Sequence, residues 1–121
     1  MLKHTYKEVH SHFRDGQKND YLLILFDEPY DLLTTFFFVE VDAFADWLKE
    51  DFDNVISGKC AQKLFGGNVC TWDITPEKTT IYDGLAEDGM GNWCEVDTKE
   101  LRALMDEWCQ KREEFKKKYH E

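Results

Sequence analysis

The stretch DTKELRALMDEWCQKREEF, residues 97–115, constrains this chain most, because its apolar residues keep to one side of a helix. Leu101, Leu104, Met105, Trp108, Cys109, Arg112, Phe115 and Tyr119 follow one face at i, i+3, i+4 spacing. Asp97 stands at the N-cap position and Glu100 three residues on, the arrangement of a capping box. Beyond about Phe115 the run KKKYHE reads as a fraying end. A helix with one dry stripe must lay it on another layer of structure, so the rest of the chain has to supply that layer.

Most of it reads as strand. Tyr21–Phe26 (YLLILF) is a short apolar run stopped by Asp27-Glu28-Pro29, and the proline has no N–H to continue a ladder. Residues 3–13 (KHTYKEVHSHF) fit a helical stripe through Tyr6, Val9, His10 and Phe13, and equally a strand through Thr5, Val9 and Phe13. The turn-rich RDGQKND after them favours a first strand that pairs with Tyr21–Phe26. Thr34–Val41 (TTFFFVEV) is rich in β-branched and aromatic residues and is expected to be a strand, with Phe37, Val39 and Val41 on one side and Phe36, Phe38 and Glu40 on the other.

Asp42 then caps an expected helix with the stripe Phe44, Trp47, Leu48, Phe52, Val55, Ile56, ended by Ser57-Gly58. These aromatics, like Trp108 and Phe115 on the last helix, are expected in the core. Further on, Leu64–Phe65, then Gly66-Gly67-Asn68, then Val69–Ile74 suggest a turn feeding a strand, with Thr79–Tyr82 the next strand and Trp93–Val96 a last short one. Pro76-Glu77-Lys78 is a second turn, and Asp83–Asn92 (DGLAEDGMGN) is a loop. The expected order is β-β-β-α-β-β-β-α. It describes one α+β domain over residues 1–121, with an antiparallel sheet of about five to six strands and two amphipathic helices packed on it.

Composition narrows the function. No run approaches the roughly 20 apolar residues of a membrane span, and the polar start Met-Leu-Lys-His lacks a secretory signal, so a cytoplasmic protein is expected. In that compartment Cys60, Cys70, Cys94 and Cys109 stay reduced. Without a C-x-x-C pair they read as structural thiols in preference to zinc ligands or disulfides. The net charge of −10 repels nucleic acid and anionic membranes. It is unevenly placed: residues 20–96 hold sixteen acids and four lysines, a net of −12, whereas acids and bases balance over residues 97–121.

Catalytic and cofactor templates find little purchase. His4, His10 and His12 crowd one end and His120 the other, with no nucleophile beside them. His10-x-His12 could present two imidazoles on one strand face, but no third ligand is identifiable. Gly66-Gly67-Asn68 is too short for a phosphate loop, and Leu85 and Glu87 break the spacing of a calcium loop, which leaves DGLAEDGMGN at most a weak cation site. No carboxylate pair stands out for glycoside chemistry. The expectation is a non-enzymatic protein with no cofactor and no metal.

What stands out is acid. Asp27, Glu28 and Asp31 share one connection, and Asp83, Glu87 and Asp88 share another. Loops need polar residues, though not so many of one sign. The expected role is to face a basic protein surface, where complementary potential speeds encounter and rejects wrong partners. A nuclease active site, built to attract phosphate, is a natural target. Tyr30 among the first group and Trp93 beside the second are the expected aromatic anchors.

The stretches SGKCAQKLFGGNVCTWDITPEKTTIYDG and CEVDTKELRALMDEWCQKREEF resemble small bacterial immunity proteins of polymorphic-toxin systems, of the contact-dependent-inhibition type. The shared features are a Gly-Asn-x-Cys strand start, a hairpin, and a D-T-x-E-L helix with a tryptophan about ten residues on. They span roughly residues 57–115. The resemblance implies an inhibitor that binds one cognate toxin, frequently a nuclease. It transfers no binding residues, because such proteins differ most where they bind. Other readings are a phage-type inhibitor that mimics nucleic acid, such as an anti-CRISPR protein, a small ligand-binding domain or enzyme with a pocket at the sheet edge, and a housekeeping interaction module.

Overall fold

The apolar run at Tyr21–Phe26 is a strand, and the ambiguous segment before it is its partner. The computed structural model describes residues 2–12, 16, 18–84 and 93–119, with only the backbone described for His12, Lys18, Asn19 and Tyr119. Strands β1 (His4–His12) and β2 (Lys18–Phe26) form an antiparallel pair in which Tyr6 faces Ile24 and His10 faces Asp20. Leu22, Ile24 and Phe26 are buried. The expected turn RDGQKND lies largely outside the described residues.

The cross-strand pair at His10 has a measurable consequence. Its Nδ1 lies 2.7 Å from Asp20 Oδ1 and its Nε2 3.2 Å from Glu8 Oε1. The hydrogen bond to Asp20, then that to Glu8, raises the imidazole above its ordinary value of 6.5. A raised folded-state pKa means that the contribution to stability is complete below the unfolded value and is lost as pH rises through the folded one. An NMR titration of His10 should give a midpoint above 6.5, and Asp20→Asn should bring it down. A midpoint at or below that of an unstructured peptide would contradict the pairing.

Residues 34–41 are not a strand. Helix α1 (Leu32–Thr35), a π-helical stretch (Phe36–Val41) and helix α2 (Asp42–Ile56) follow one another with right-handed helical dihedrals at each junction. A kink falls at Phe44, where φ is −128° and ψ is 27°. The buried residues are Leu32, Leu33, Phe36, Phe37, Glu40 and Val41, pairs recurring every four positions. That spacing puts them on one side of a helix, and the wider π-helical turn keeps the pairs aligned. In a strand the same pairs would split between two faces. Asp42 therefore lies inside a helical run and does not begin one. Its carboxylate accepts a hydrogen bond from Arg112 Nη1 at 2.5 Å. Trp47, expected in the core, is partly exposed and meets the rings of Phe44 and Phe65 edge-on.

After Ser57-Gly58, where Gly58 takes a φ of +87°, the chain enters an antiparallel meander. Its strands β3 (Lys63–Gly66), β4 (Cys70–Ile74), β5 (Lys78–Asp83) and β6 (Trp93–Asp97) lie side by side in chain order. Helix α3 (Thr98–Tyr119) follows directly. Asp97 Oδ1 accepts the Glu100 N–H at 3.0 Å, as a cap should. The Glu100 carboxylate accepts the Leu2 N–H and so fastens the start of the chain to α3. The helix continues through Tyr119, past the point where fraying was expected.

The result is α+β, with six antiparallel strands and two amphipathic helical segments. The strands divide into sheets of two and four because the piece expected to join them is helical. That helical piece carries the joint. Phe37 packs on Phe26 of β2 at 5.9 Å and on Trp108 of α3 at 6.2 Å, while Phe36 packs on Trp72 of β4 at 5.6 Å between ring centroids. Arg112, which interrupts the apolar stripe of α3, holds Asp42 at the start of α2. Arg102 holds Asp53 near its end, with Nε 2.9 Å from Oδ1. The two helices are thus pinned antiparallel at both ends. Such partly exposed ion pairs each contribute about 1 kcal/mol or less.

Glu40, expected on one strand face with Phe36 and Phe38, lies in a helix and is fully buried. Its carboxylate accepts three backbone hydrogen bonds from the β3–β4 turn: Asn68 N–H to Oε1 at 2.9 Å, and Val69 and Cys70 N–H to Oε2 at 3.1 and 2.8 Å. Gly67 lies against the same group, where a Cβ would fall 2.3 Å from Oε2. A second acid of this segment, Asp51, is buried with Oδ2 unpaired, and burial raises its pKa despite the nearby charge of Lys63.

Candidate functional site

The acidic connection between β2 and α1 is an ordered turn. Tyr30 N–H donates to Asp27 O at 2.8 Å, Leu33 N–H to Tyr30 O at 2.9 Å and Thr34 N–H to Asp31 O at 3.1 Å. Asp27, Glu28 and Asp31 are exposed on it, and the Asp31 carboxylate makes no cap hydrogen bond to the helix it precedes. Tyr30 is half-buried against the core. It lines a cavity of about 150 Å³ with Leu2 and Glu100, and with Lys78 and the β6 residues Glu95, Val96 and Asp97. Asp31 lies close enough to Cys94 on β6 for its charge to add to the thiol's upward shift, which is chiefly due to burial and brings it to about 11.

The turn therefore runs beside β6, which is an edge strand. Trp93, the first residue of β6, is 61% exposed. Asp83 ends β5, the strand next to β6, opposite Cys70 of β4. The structure thus sets Tyr30 and Asp31 beside the β6 edge next to its inner-facing residues, while Trp93 stands on the outer face of the same strand and Asp83 at the end of the neighbouring one. Glu87 and Asp88 lie outside the described residues.

Several neighbours of this region escaped the sequence reading. The inner face of the four-stranded sheet is buried through Cys70, Trp72, Ile74, Thr79, Ile81, Cys94 and Val96. Strict alternation turns the remaining side chains outward. Across the outer face the register sets Leu64, Asp73, Thr80 and Glu95 in one row, and Gly66, Thr71, Tyr82 and Trp93 in the next. The period-two pattern around Ile81 and Trp72 contained that parity. What obscured it was that the aromatic residues were weighed singly, without their cross-strand neighbours.

The groups tested as chemistry have structural partners. Burial, with the charge of Glu40 next, pushes the Cys70 thiol up to about 12, so at neutral pH it is protonated and a weak nucleophile. His4 Nε2 is 2.6 Å from Glu107, which also accepts from the Tyr6 hydroxyl at 2.5 Å. Among the described residues no group of three His, Cys, Asp or Glu side chains is placed to hold a metal ion, and His12 contributes no described side chain. No helix among those residues is long and apolar enough to cross a membrane.

No protein-family model matches the chain, and no solved structure matches it. A relative does. Over 99 residues, covering 82% of this chain and 85% of the relative, the sequence is 41% identical to an immunity protein of Bacillus cereus. Identity at that level, carried across most of both chains, is beyond what shared composition or a shared hydrophobic pattern produces. The chain described here belongs to that immunity-protein family.

Proposed function

We propose that this chain is an immunity protein that neutralises a cognate bacterial toxin by binding it, without carrying out a reaction. The observation that carries the reading is the family relationship, with an immunity protein 41% identical over most of the chain. Charge refines it. A net of −10, with three exposed acids on one ordered turn beside an edge strand, suits a cationic partner. A nuclease domain is such a partner, since its active site is built to attract phosphate. The inhibitor would work in the cytoplasm, where a nuclease toxin meets its substrate, and the toxin system would be of the polymorphic, contact-dependent kind. A nucleic-acid mimic is less well supported, because Glu40 is buried on backbone donors and Asp20, Asp42 and Asp53 are paired with His10, Arg112 and Arg102 of the same chain.

Co-expression with the toxin domain encoded by the neighbouring gene should restore growth, and absence of rescue would overturn the reading. Reversing Asp27, Glu28 and Asp31 together to lysine should slow association about tenfold at low salt and flatten its salt dependence, as measured by stopped flow. An association rate that ignores both the substitutions and the salt would remove the acidic turn from the interface.

A further inference from the structure

One face of the molecule remains uncovered among the described residues. The helical segments pack on the inner side of the β3–β6 meander, while among the described residues its outer side carries three of the five exposed large hydrophobic residues: Leu64 at 64%, Tyr82 at 41% and Trp93 at 61% exposure. An antiparallel sheet with one wet face is ordinary. A wet face that displays a tryptophan opposite a tyrosine is not, because these side chains are costly to leave in water and carry much of the energy where proteins meet. Tyr82 and Trp93 are register partners on adjacent strands, so their Cβ atoms stand about 5 Å apart and the two exposed side chains make an aromatic platform at one end of the face.

The charges in the row next to the platform are both negative. Asp73 and Glu95 occupy the next row on either side of Thr80, and Asp97 follows Glu95 on β6. Of the two lysines on these strands, Lys63 belongs to the buried register near Asp51, and Lys78 stands opposite Asp97. Gln62 donates to Asp73 Oδ1 at 2.7 Å and holds that carboxylate in place. Aromatic faces bordered by carboxylates are the surroundings a guanidinium favours, since it can stack on the ring and fork to the acid at once.

We infer that the outer face of the four-stranded sheet is the docking surface for the toxin, with an arginine- or lysine-bearing segment of the toxin seated on Tyr82 and Trp93 and countered by Asp73 and Glu95. This rests on the toxin-binding reading above and assigns its geometry. The acidic 27–31 turn beside β6 then steers the encounter, and the aromatic platform holds the complex once formed.

The division of labour separates the two in kinetics. With the purified toxin domain, Tyr82→Ala and Trp93→Ala should each speed dissociation by about tenfold or more, while association stays within about twofold of the parent. Asp73→Asn with Glu95→Gln should weaken binding without touching the aromatic platform. It serves as the second probe should either alanine variant fail a circular-dichroism check of folding. Phe38→Ala, an exposed aromatic on the helical side, should leave the dissociation rate unchanged. If the parent chain binds and protects but the sheet-face variants dissociate like the parent, the docking geometry is wrong and the immunity reading stands. If Phe38→Ala alone accelerates release, the interface lies on the helical side and the inference is overturned. A parent chain that neither binds nor protects overturns both.

Discussion

Glu40→Ala should unfold with a loss of about 4 kcal/mol, because it removes the shared acceptor of three backbone donors. Each donor left without a partner costs about 1–3 kcal/mol, and the higher figure applies to Cys70, whose N–H is buried. Water entering the vacated space could satisfy Asn68 and Val69 at the partly buried end, which keeps the total below the sum of three full penalties. Glu40→Gln separates the contributions. Its carbonyl oxygen can replace Oε2 and keep the Val69 and Cys70 bonds. Its amide nitrogen must then face the Asn68 N–H, donor against donor, for a loss of about 1–2 kcal/mol. Urea denaturation would read both values. A loss under about 1 kcal/mol for Glu40→Ala would mean that the turn holds itself without the carboxylate.

Gly67→Ala is the mirror experiment, performed from the turn. A Cβ at this position would lie 2.3 Å from Glu40 Oε2, 2.6 Å from Cδ and 2.7 Å from Oε1. Gly67 has no positive φ, so space alone makes the position exclusive. A glutamate side chain would ordinarily swing aside at little cost. Here it is buried and held by three hydrogen bonds, and moving it breaks them. A destabilisation of about 2–3 kcal/mol is expected, within the range of an overpacked core. The two substitutions should also be strongly non-additive. In the Glu40→Ala background the methyl group has room, and Gly67→Ala should then cost less than about 1 kcal/mol. Equal costs in both backgrounds would show that something other than the carboxylate excludes the side chain. Because this turn joins β3 to β4, loosening it would also disturb the outer face on which Leu64 and Asp73 stand opposite each other.

Elements written in local pattern were legible in the sequence. The one-sided stripe of α3 needs only its own spacing to declare itself, as does the Asp97 cap. The same holds for YLLILF, and for the meander with its Gly-Gly-Asn and Pro-Glu-Lys turns. Each depends on residues within a few positions, and the hydrophobic effect acts on that pattern wherever the chain folds. The acidic turn was equally visible as a cluster of one sign. That it lies beside β6, with Tyr30 packed against the core and Asp31 near Cys94, was not, because the β6 residues lie more than sixty positions away in the chain.

Residues 34–41 show where local reading ends. TTFFFVEV alternates well enough for a strand so long as Glu40 is counted as facing water. Counted as buried, it completes a four-residue repeat of paired positions that only a helix can place on one side. What makes its burial possible is a set of N–H donors 28 to 30 residues further along. By itself the sequence determined β1, β2 and β4 to β6, the last helix and the sign of the surface, since each follows from side chains competing for water over short stretches. Only the tertiary structure decided that one carboxylate would be drawn inside, and with it that residues 34–41 would coil and the six strands would part into two sheets. A buried charge is tolerable only where distant backbone comes to meet it.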